Sequence, residues 1–186
     1  MRMVEIHGLS AVASESGTLS AGTVAEPPQY ALQVRYRYER QVEQSLRVRG
    51  FAPFLPLFKS RRRWSDRTME IETPLFPGYV FCSMDLGNRM PVLSTPGVVG
   101  IVAARKQPLP VDPYELEAVR AMIVRGIDVQ PCFATPGQKV RIGTGPLKGI
   151  EGCLVQLRGK NRLVVRISIL NRSISAIIDG SEAVPV

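Results

Sequence analysis

FPGYVF, residues Phe76 to Phe81, is the stretch on which the reading of this chain turns. It packs three aromatics into six residues of a protein that is only 6% aromatic. Pro77 and Gly78 stand where a strand begins, and Tyr79, Val80 and Phe81 then alternate. A strand's period of two sends Tyr79 and Phe81 to one face and Val80 to the other. Two large rings on one face make either a core wall or a contact patch for a partner. The expectation is a split, with Val80 packed inward against helices and Tyr79 and Phe81 turned toward a partner.

Upstream of that strand, YALQVR (Tyr30 to Arg35) alternates like another strand. Tyr38, Val42 and Leu46 then recur four apart, as on one helix face, until Gly50 stops the helix. Phe51 to Phe58 is apolar with two prolines, which suits an irregular edge strand. KSRRRWSDR (Lys59 to Arg67) reads as a charged hairpin arm, and Met69 to Thr73 leads back into FPGYVF. Downstream, a short helix is expected from near Pro91, because proline suits a first turn. Thr95-Pro96-Gly97 makes a turn, and VVGIVA (Val98 to Ala103) reads as a buried strand. Asp112-Pro113-Tyr114-Glu115 is a helix start, with Asp as cap, Pro first and Glu third. Leu116, Val119 and Ile123 keep helical spacing until Gly126. Strands and helices alternating in this way imply an α+β sandwich, an antiparallel sheet flanked by helices.

Residues 126–136 lose all periodicity and contain Pro131 and Pro136, so they are expected to be a linker. Beyond them the chain is β in character: KVRI, the turn GTGPLKG, a strand around Cys153 to Leu157, the turn RGKN, RLVVRISIL and SISAII. Short strands joined by tight glycine turns bury a core by curling into a small five-stranded barrel. Residues 1–28 are rich in Ser, Ala, Gly and Glu, end in Pro27-Pro28, and are expected to be a disordered tail. The resulting division is 1–28 tail, 29–125 sandwich, 126–136 linker and 137–186 barrel.

Composition narrows the function. The net charge of +8 is concentrated: residues 30–67 carry ten Lys or Arg against three acids, and residues 137–186 carry eight against three. Such segregation points to a polyanionic neighbour, against the plainer explanation of general solubility. His7 is the sole histidine and lies in the expected tail, which removes most nucleophile–base pairs and zinc sites. No phosphate-binding glycine loop appears, so the chain does not read as an enzyme and implies no cofactor and no metal. Cys82, Cys132 and Cys153 are odd in number and far apart, which suits reduced thiols in a cytoplasm. Neither a signal peptide nor an apolar run long enough for a membrane span is expected.

These pieces resemble one family. Tyr30-Ala31-Leu32, PLFPGYVF (Pro74 to Phe81), TPGV (Thr95 to Val98) and GQKVRIGTGPLKGIEG (Gly137 to Gly152) are similar to the NusG-type transcription elongation factors, with an N-terminal NGN domain and a C-terminal KOW domain. The resemblance runs from about residue 29 to the end, and the two signatures stand in the family's order. LPLF, RRRWSDR and TPGVVGIV look more like the specialised RfaH, LoaP and UpxY types. Gln29 stands where many relatives have a Trp before the Tyr.

The resemblance implies that the NGN domain binds the clamp helices of the large RNA polymerase subunit through an apolar depression. Tyr30, Phe76, Pro77, Tyr79 and Phe81 would form that surface, and Asn88, Arg89 and Met90 would touch the opposite jaw. Bridging both jaws without chemistry would then sustain elongation and antitermination. Arg35, Arg37 and Arg40 would face the non-template DNA strand, with Tyr36 or Tyr38 stacking on bases, or else they line a solvated helix face. Arg61, Arg62, Arg63 and Arg67 would reach upstream duplex DNA, with Trp64 either a stacking group or a small local core. In the KOW domain, Ile169, Leu170 and Arg172 match the tip that meets a small-subunit ribosomal protein. Leu170 stands where relatives often have Phe, which keeps an apolar contact and argues against Rho. The β-branched runs favour a barrel that stays a barrel. The implied protein is a cytoplasmic monomer. Two rivals remain, a ribosome-associated KOW protein that binds ribosomal RNA through its barrel and a non-specific nucleic-acid coating protein.

Overall fold

The structure, a computed structural model, describes residues 27–63, 68–104, 107–132, 137–157 and 159–186. The tail expectation for residues 1–26, including His7, lies outside the described residues, as do those for Trp64 and Arg67.

The N-terminal part runs β1 (Gln29–Val34), α1 (Glu39–Val48), β2 (Ala52–Phe54), β3 (Leu57–Arg63), β4 (Thr68–Pro74) and β5 (Tyr79–Ser83). It continues with α2 (Met90–Leu93), β6 (Val98–Ile101), the small pair β7 (Ala103–Ala104) and β8 (Gln107–Pro108), and α3 (Pro113–Val124). Then come β9 (Val129–Cys132), β10 (Gln138–Ile142), β11 (Glu151–Leu157), β12 (Lys160–Ile167), β13 (Arg172–Ile177) and β14 (Ala183–Pro185). One four-stranded sheet has the order β2-β5-β1-β6, and a six-stranded sheet has the order β14-β10-β11-β12-β13-β9. The charged arm is the separate β3–β4 hairpin. No described helix is long and apolar enough to cross a membrane.

The two faces of the first sheet follow from strand alternation. In the antiparallel β1–β5 pair, Leu32 lies opposite Val80 and Ala31 opposite Phe81. Leu32 and Val80 are fully buried in one cluster with Val42 and Leu46 of α1, as expected for Val80. Ala31 and Phe81 belong to the other cluster, which runs through Leu116, Val119 and Met122 of α3 to Val140, Leu163 and Ile174 of the C-terminal sheet. The core is therefore continuous from the sandwich through α3 into the barrel.

Several expectations need correction. The FPGYVF strand begins at Tyr79, because Phe76 to Gly78 form the turn that precedes it. VVGIVA is a strand only over Val98–Ile101 and is not buried: Val99 is 61% exposed, since β6 is a sheet edge. RLVVRISIL ends as a strand at Ile167, where Ser168 to Leu170 turn and Asn171 takes a left-handed φ of 51°. The expected linker contributes β9, which pairs with β13 from Val129 opposite Ala176 to Cys132 opposite Ser173. Its prolines hid this strand; Pro131 can sit there because β9 lies at the edge of the sheet.

Candidate functional site

Phe76-Pro77-Gly78-Tyr79 close a turn in which Tyr79 N–H donates to the Phe76 carbonyl at 3.1 Å. Proline at its second position and a glycine φ of 82° at its third give it type II form. A Cβ on Gly78 would meet only the Val34 carbonyl oxygen, at an ordinary 3.8 Å, so the positive φ is what calls for glycine there. The turn is anchored on both sides. Val34 N–H donates to the Gly78 carbonyl at 2.9 Å, and Gly78 N–H donates to the Glu39 carboxylate at 2.8 Å.

The turn hands the chain to β5 with the rings in unequal positions. Phe76 and Phe81 are sealed, their rings edge to face at 5.7 Å, and Phe54 of β2 lies 6.2 Å from Phe81. Phe81 was expected to face a partner; it is core instead, because α3 covers that face of the sheet. Phe76 is corrected in the same way. Tyr30 is buried on the opposite face, in register with Leu32 and Val34, and cannot share a surface with Tyr79. Pro77 and Tyr79 remain half-buried and keep access to solvent.

Beside these rings is an open cleft of about 1050 Å³ of mixed lining, with Phe54, Leu57, Phe58 and Val129 among its apolar residues and Lys59, Glu72 and Asp128 among its charged ones. Arg120 of α3 forms part of its setting, with its guanidinium 4.3 Å from the Phe54 ring centroid and a 3.1 Å bond to the Gln29 side chain. Asn88, Arg89 and Met90 are exposed and lie beyond the opposite end of β5 from Tyr79. Met90 is 66% exposed, an unusual position for an apolar side chain.

The basic residues separate into two groups. Arg35, Arg37 and Arg40 are exposed around the start of α1. Arg37 takes a φ of 69° and lies 5.6 Å over the ring of Tyr36, which is 70% exposed. Arg40 is engaged by Glu72 of the hairpin at 2.8 Å, a bond that holds the Glu72 carboxyl below the usual carboxylate range. The backbones of Arg61, Arg62 and Arg63 lie in β3 opposite Glu70, Met69 and Thr68.

The barrel tip meets the sandwich. The Glu115 carboxylate of α3 accepts the Ser168 N–H at 2.8 Å and the Ser168 hydroxyl as well. The Arg172 guanidinium lies 5.4 Å from the Tyr79 ring centroid. Leu170 is buried in the shared core, with Ile169 packed against it. The structure thus brings together Tyr79 and Ile169, Leu170 and Arg172, which were expected to serve separate partners. Glu39, Phe54, Glu115 and Arg120 were not singled out from the sequence. Glu115 carried only a helix-start signal, and its bonds to Ser168 span 53 positions.

The family model described as transcription termination factor nusG matches residues 29–120. The chain is 29% identical over 129 residues to the transcription termination/antitermination protein NusG of Thermus thermophilus, covering 61% of this chain and 68% of that one. It is 26% identical over 167 residues to the same-named protein of Lactococcus lactis, covering 81% and 88%. With that of Buchnera aphidicola it shares 29% over 168 residues, covering 82% and 93%. Among solved structures, one described as "Domain interaction in Thermotoga maritima NusG" aligns with a TM-score of 0.52 at 23% identity, covering 86% of this chain and 97% of that one. That likeness concerns the fold: a mixed α/β sandwich followed by a β domain.

Proposed function

Residues 29–120 belong to the NusG family of transcription termination and antitermination proteins, whose members are not enzymes, and from that premise we propose that this chain is an elongation and antitermination factor that grips RNA polymerase through its N-terminal sandwich. The observation that carries the reading is the half-buried Tyr79, on a turn anchored from two sides, two positions along the same face from Phe81 and its neighbour, the cleft-lining Phe54. A helical finger of the polymerase clamp would bury Tyr79 and pack along Phe54, Leu57 and Phe58 on the sandwich side of the cleft, with the sealed Phe76 and Phe81 rings holding that face rigid from within. Rigid rings give large contact area at little entropic cost.

Asn88, Arg89 and Met90 would touch the opposite jaw, so that one small protein holds both. Arg35, Arg37 and the exposed Tyr36 suit a nucleic-acid strand passing the start of α1, and the β3–β4 hairpin suits upstream DNA. Ile169, Leu170 and Arg172 would serve a further partner such as a small-subunit ribosomal protein. We retain 29–125 and 137–186 as the two domains, with 126–136 connecting them and partly folded onto the barrel. A specialised role within the family and a cytoplasmic setting belong to the same proposal.

In this arrangement the two candidate surfaces occupy each other, so polymerase binding requires the barrel to leave. The test is capture of core RNA polymerase by the full chain with and without Tyr79→Ala. A loss of about tenfold or more is expected, as for the central aromatic of an interface. Because the substitution also frees Arg172, the measured loss is a lower bound. Unchanged capture would sink the assigned surface, and retention of ribosomal RNA by the barrel alone would favour the ribosomal rival.

A further inference from the structure

Two proline–glycine turns grip the end of β1. Phe76 to Tyr79 form one; in the other, Val98 N–H donates to the Thr95 carbonyl at 3.0 Å, with Gly97 at a φ of 96°. The Gly78 carbonyl accepts Val34 N–H and the Gly97 carbonyl accepts Arg35 N–H, each at 2.9 Å. Consecutive residues of one strand are thereby tied to both turns, just before the exposed Tyr36 and Arg37.

The turns are secured by different means. Gly97 lies under side chains: a Cβ there would come within 2.9 Å of Val42 Cγ2 and 3.0 Å of Tyr38 Cδ1. Gly78 has open space where a Cβ would stand, and hydrogen bonds hold its backbone: its N–H to Glu39 and its carbonyl to Val34 N–H. A type I and a type II turn differ by a flip of the central peptide, here Pro77–Gly78, which reverses the direction of the Gly78 N–H. In the observed form that N–H points at Glu39, the first residue of α1. Glu39 is 4% exposed and is the one buried charged side chain among the described residues. Burying a carboxylate is costly unless it is bonded, and a charge-assisted bond to a backbone N–H is a strong one.

We infer that Glu39 is a positioning residue: its carboxylate holds the Pro77–Gly78 peptide in the orientation that aims Tyr79, and ties that turn to the α1 start that displays Arg35, Tyr36, Arg37 and Arg40. The consequence for binding rests on Tyr79 meeting the polymerase; the consequence for the turn does not. The carboxylate sets where the ring emerges relative to the basic segment, so the two candidate contacts keep one fixed geometry. Beside it in α1, Arg40 extends the same linkage to the hairpin through Glu72.

The test uses the full chain with Glu39→Gln, which keeps an accepting oxygen, Glu39→Ala, which removes it, and Leu46→Ala, which damages the same buried face of the helix two helical turns further from Gly78. Amide exchange at Gly78 is read by NMR, alongside affinity for core RNA polymerase. In Glu39→Ala, Gly78 exchange should quicken at least tenfold and affinity fall about fivefold, while Glu39→Gln and Leu46→Ala stay within about threefold of the parent in both. Gly78 exchange that is as slow in Glu39→Ala as in Glu39→Gln overturns the assignment. So does a Leu46→Ala variant that loses protection at Gly78 equally, since the effect would then be general loosening. If Gly78 responds as expected but Tyr79→Ala leaves capture unchanged, the positioning role stands and the polymerase surface falls.

Discussion

Phe81→Ala is expected to destabilise the protein by about 3–5 kcal/mol, the range for deleting a fully buried phenylalanine ring. Phe81 has no exposed surface and touches rings on two sides, Phe76 edge to face and Phe54 tilted. Those neighbours belong to a turn and to another strand, so they cannot both collapse into the space the ring leaves. The loss is comparable to the whole stability of many small domains. Thermal or denaturant unfolding should show it directly, and any loss of polymerase binding by this variant would report unfolding instead of a missing contact. A melting temperature within a degree or two of the parent would contradict the placement of Phe81 in the core. Tyr79→Ala, at a half-buried site, should cost far less stability, which makes it the usable probe of binding.

Weakening the contact between barrel and sandwich should tighten polymerase binding. Glu115→Ala with Arg172→Ala removes both bonds to Ser168 and the cation over Tyr79. A hydrogen bond to a charged group contributes about 1.5–3 kcal/mol when shielded; these groups reach solvent, so a combined effect near 1.4 kcal/mol, or about tenfold in affinity, is the expectation. The connection from Val124 to Val129 is short, so the barrel is held close and re-docks readily when polymerase is absent. The coupling is reciprocal: a partner that captures Ile169 and Leu170 should raise polymerase affinity by the same factor that polymerase raises its own. Affinity that falls or stays level in the double variant would argue against mutual covering.

Much of the fold was legible because its signals are local. Val42 and Leu46 at helical spacing, Asp112 as cap and Val80 alternating with its neighbours all behave as their periods require. Asp112 does accept Tyr114 N–H at 2.8 Å. Glu115 shows where local reading ends. A glutamate at the third helical position is expected to reach back to its own cap, but this one crosses to Ser168 in the barrel. Nothing in a window around residue 115 carries that information. Phe81 illustrates the complementary difficulty: period two places it correctly opposite Val80, but only the path of α3 decides that its face is covered. The 126–136 stretch misled for a third reason. Its prolines argue against a central strand, and β9 pairs along one side only. For Glu39 the sequence offered no distinguishing mark, since a glutamate among charged helix residues reads as solvated until a glycine N–H is found beneath it.

The most direct measurement joins positions 115 and 168 and asks whether polymerase can still bind. Cys82 and Cys132 are buried, with burial pushing the Cys82 thiol up to about 11, so Cys153→Ser leaves a quiet background for Glu115→Cys with Ser168→Cys. A short reducible thiol–thiol cross-linker between the new cysteines would hold the barrel over Tyr79. Titration of core RNA polymerase should give affinity at least tenfold weaker for the cross-linked chain, restored when the link is reduced. Equal affinity before and after reduction would contradict the account, because polymerase would then be binding a surface that the barrel does not cover.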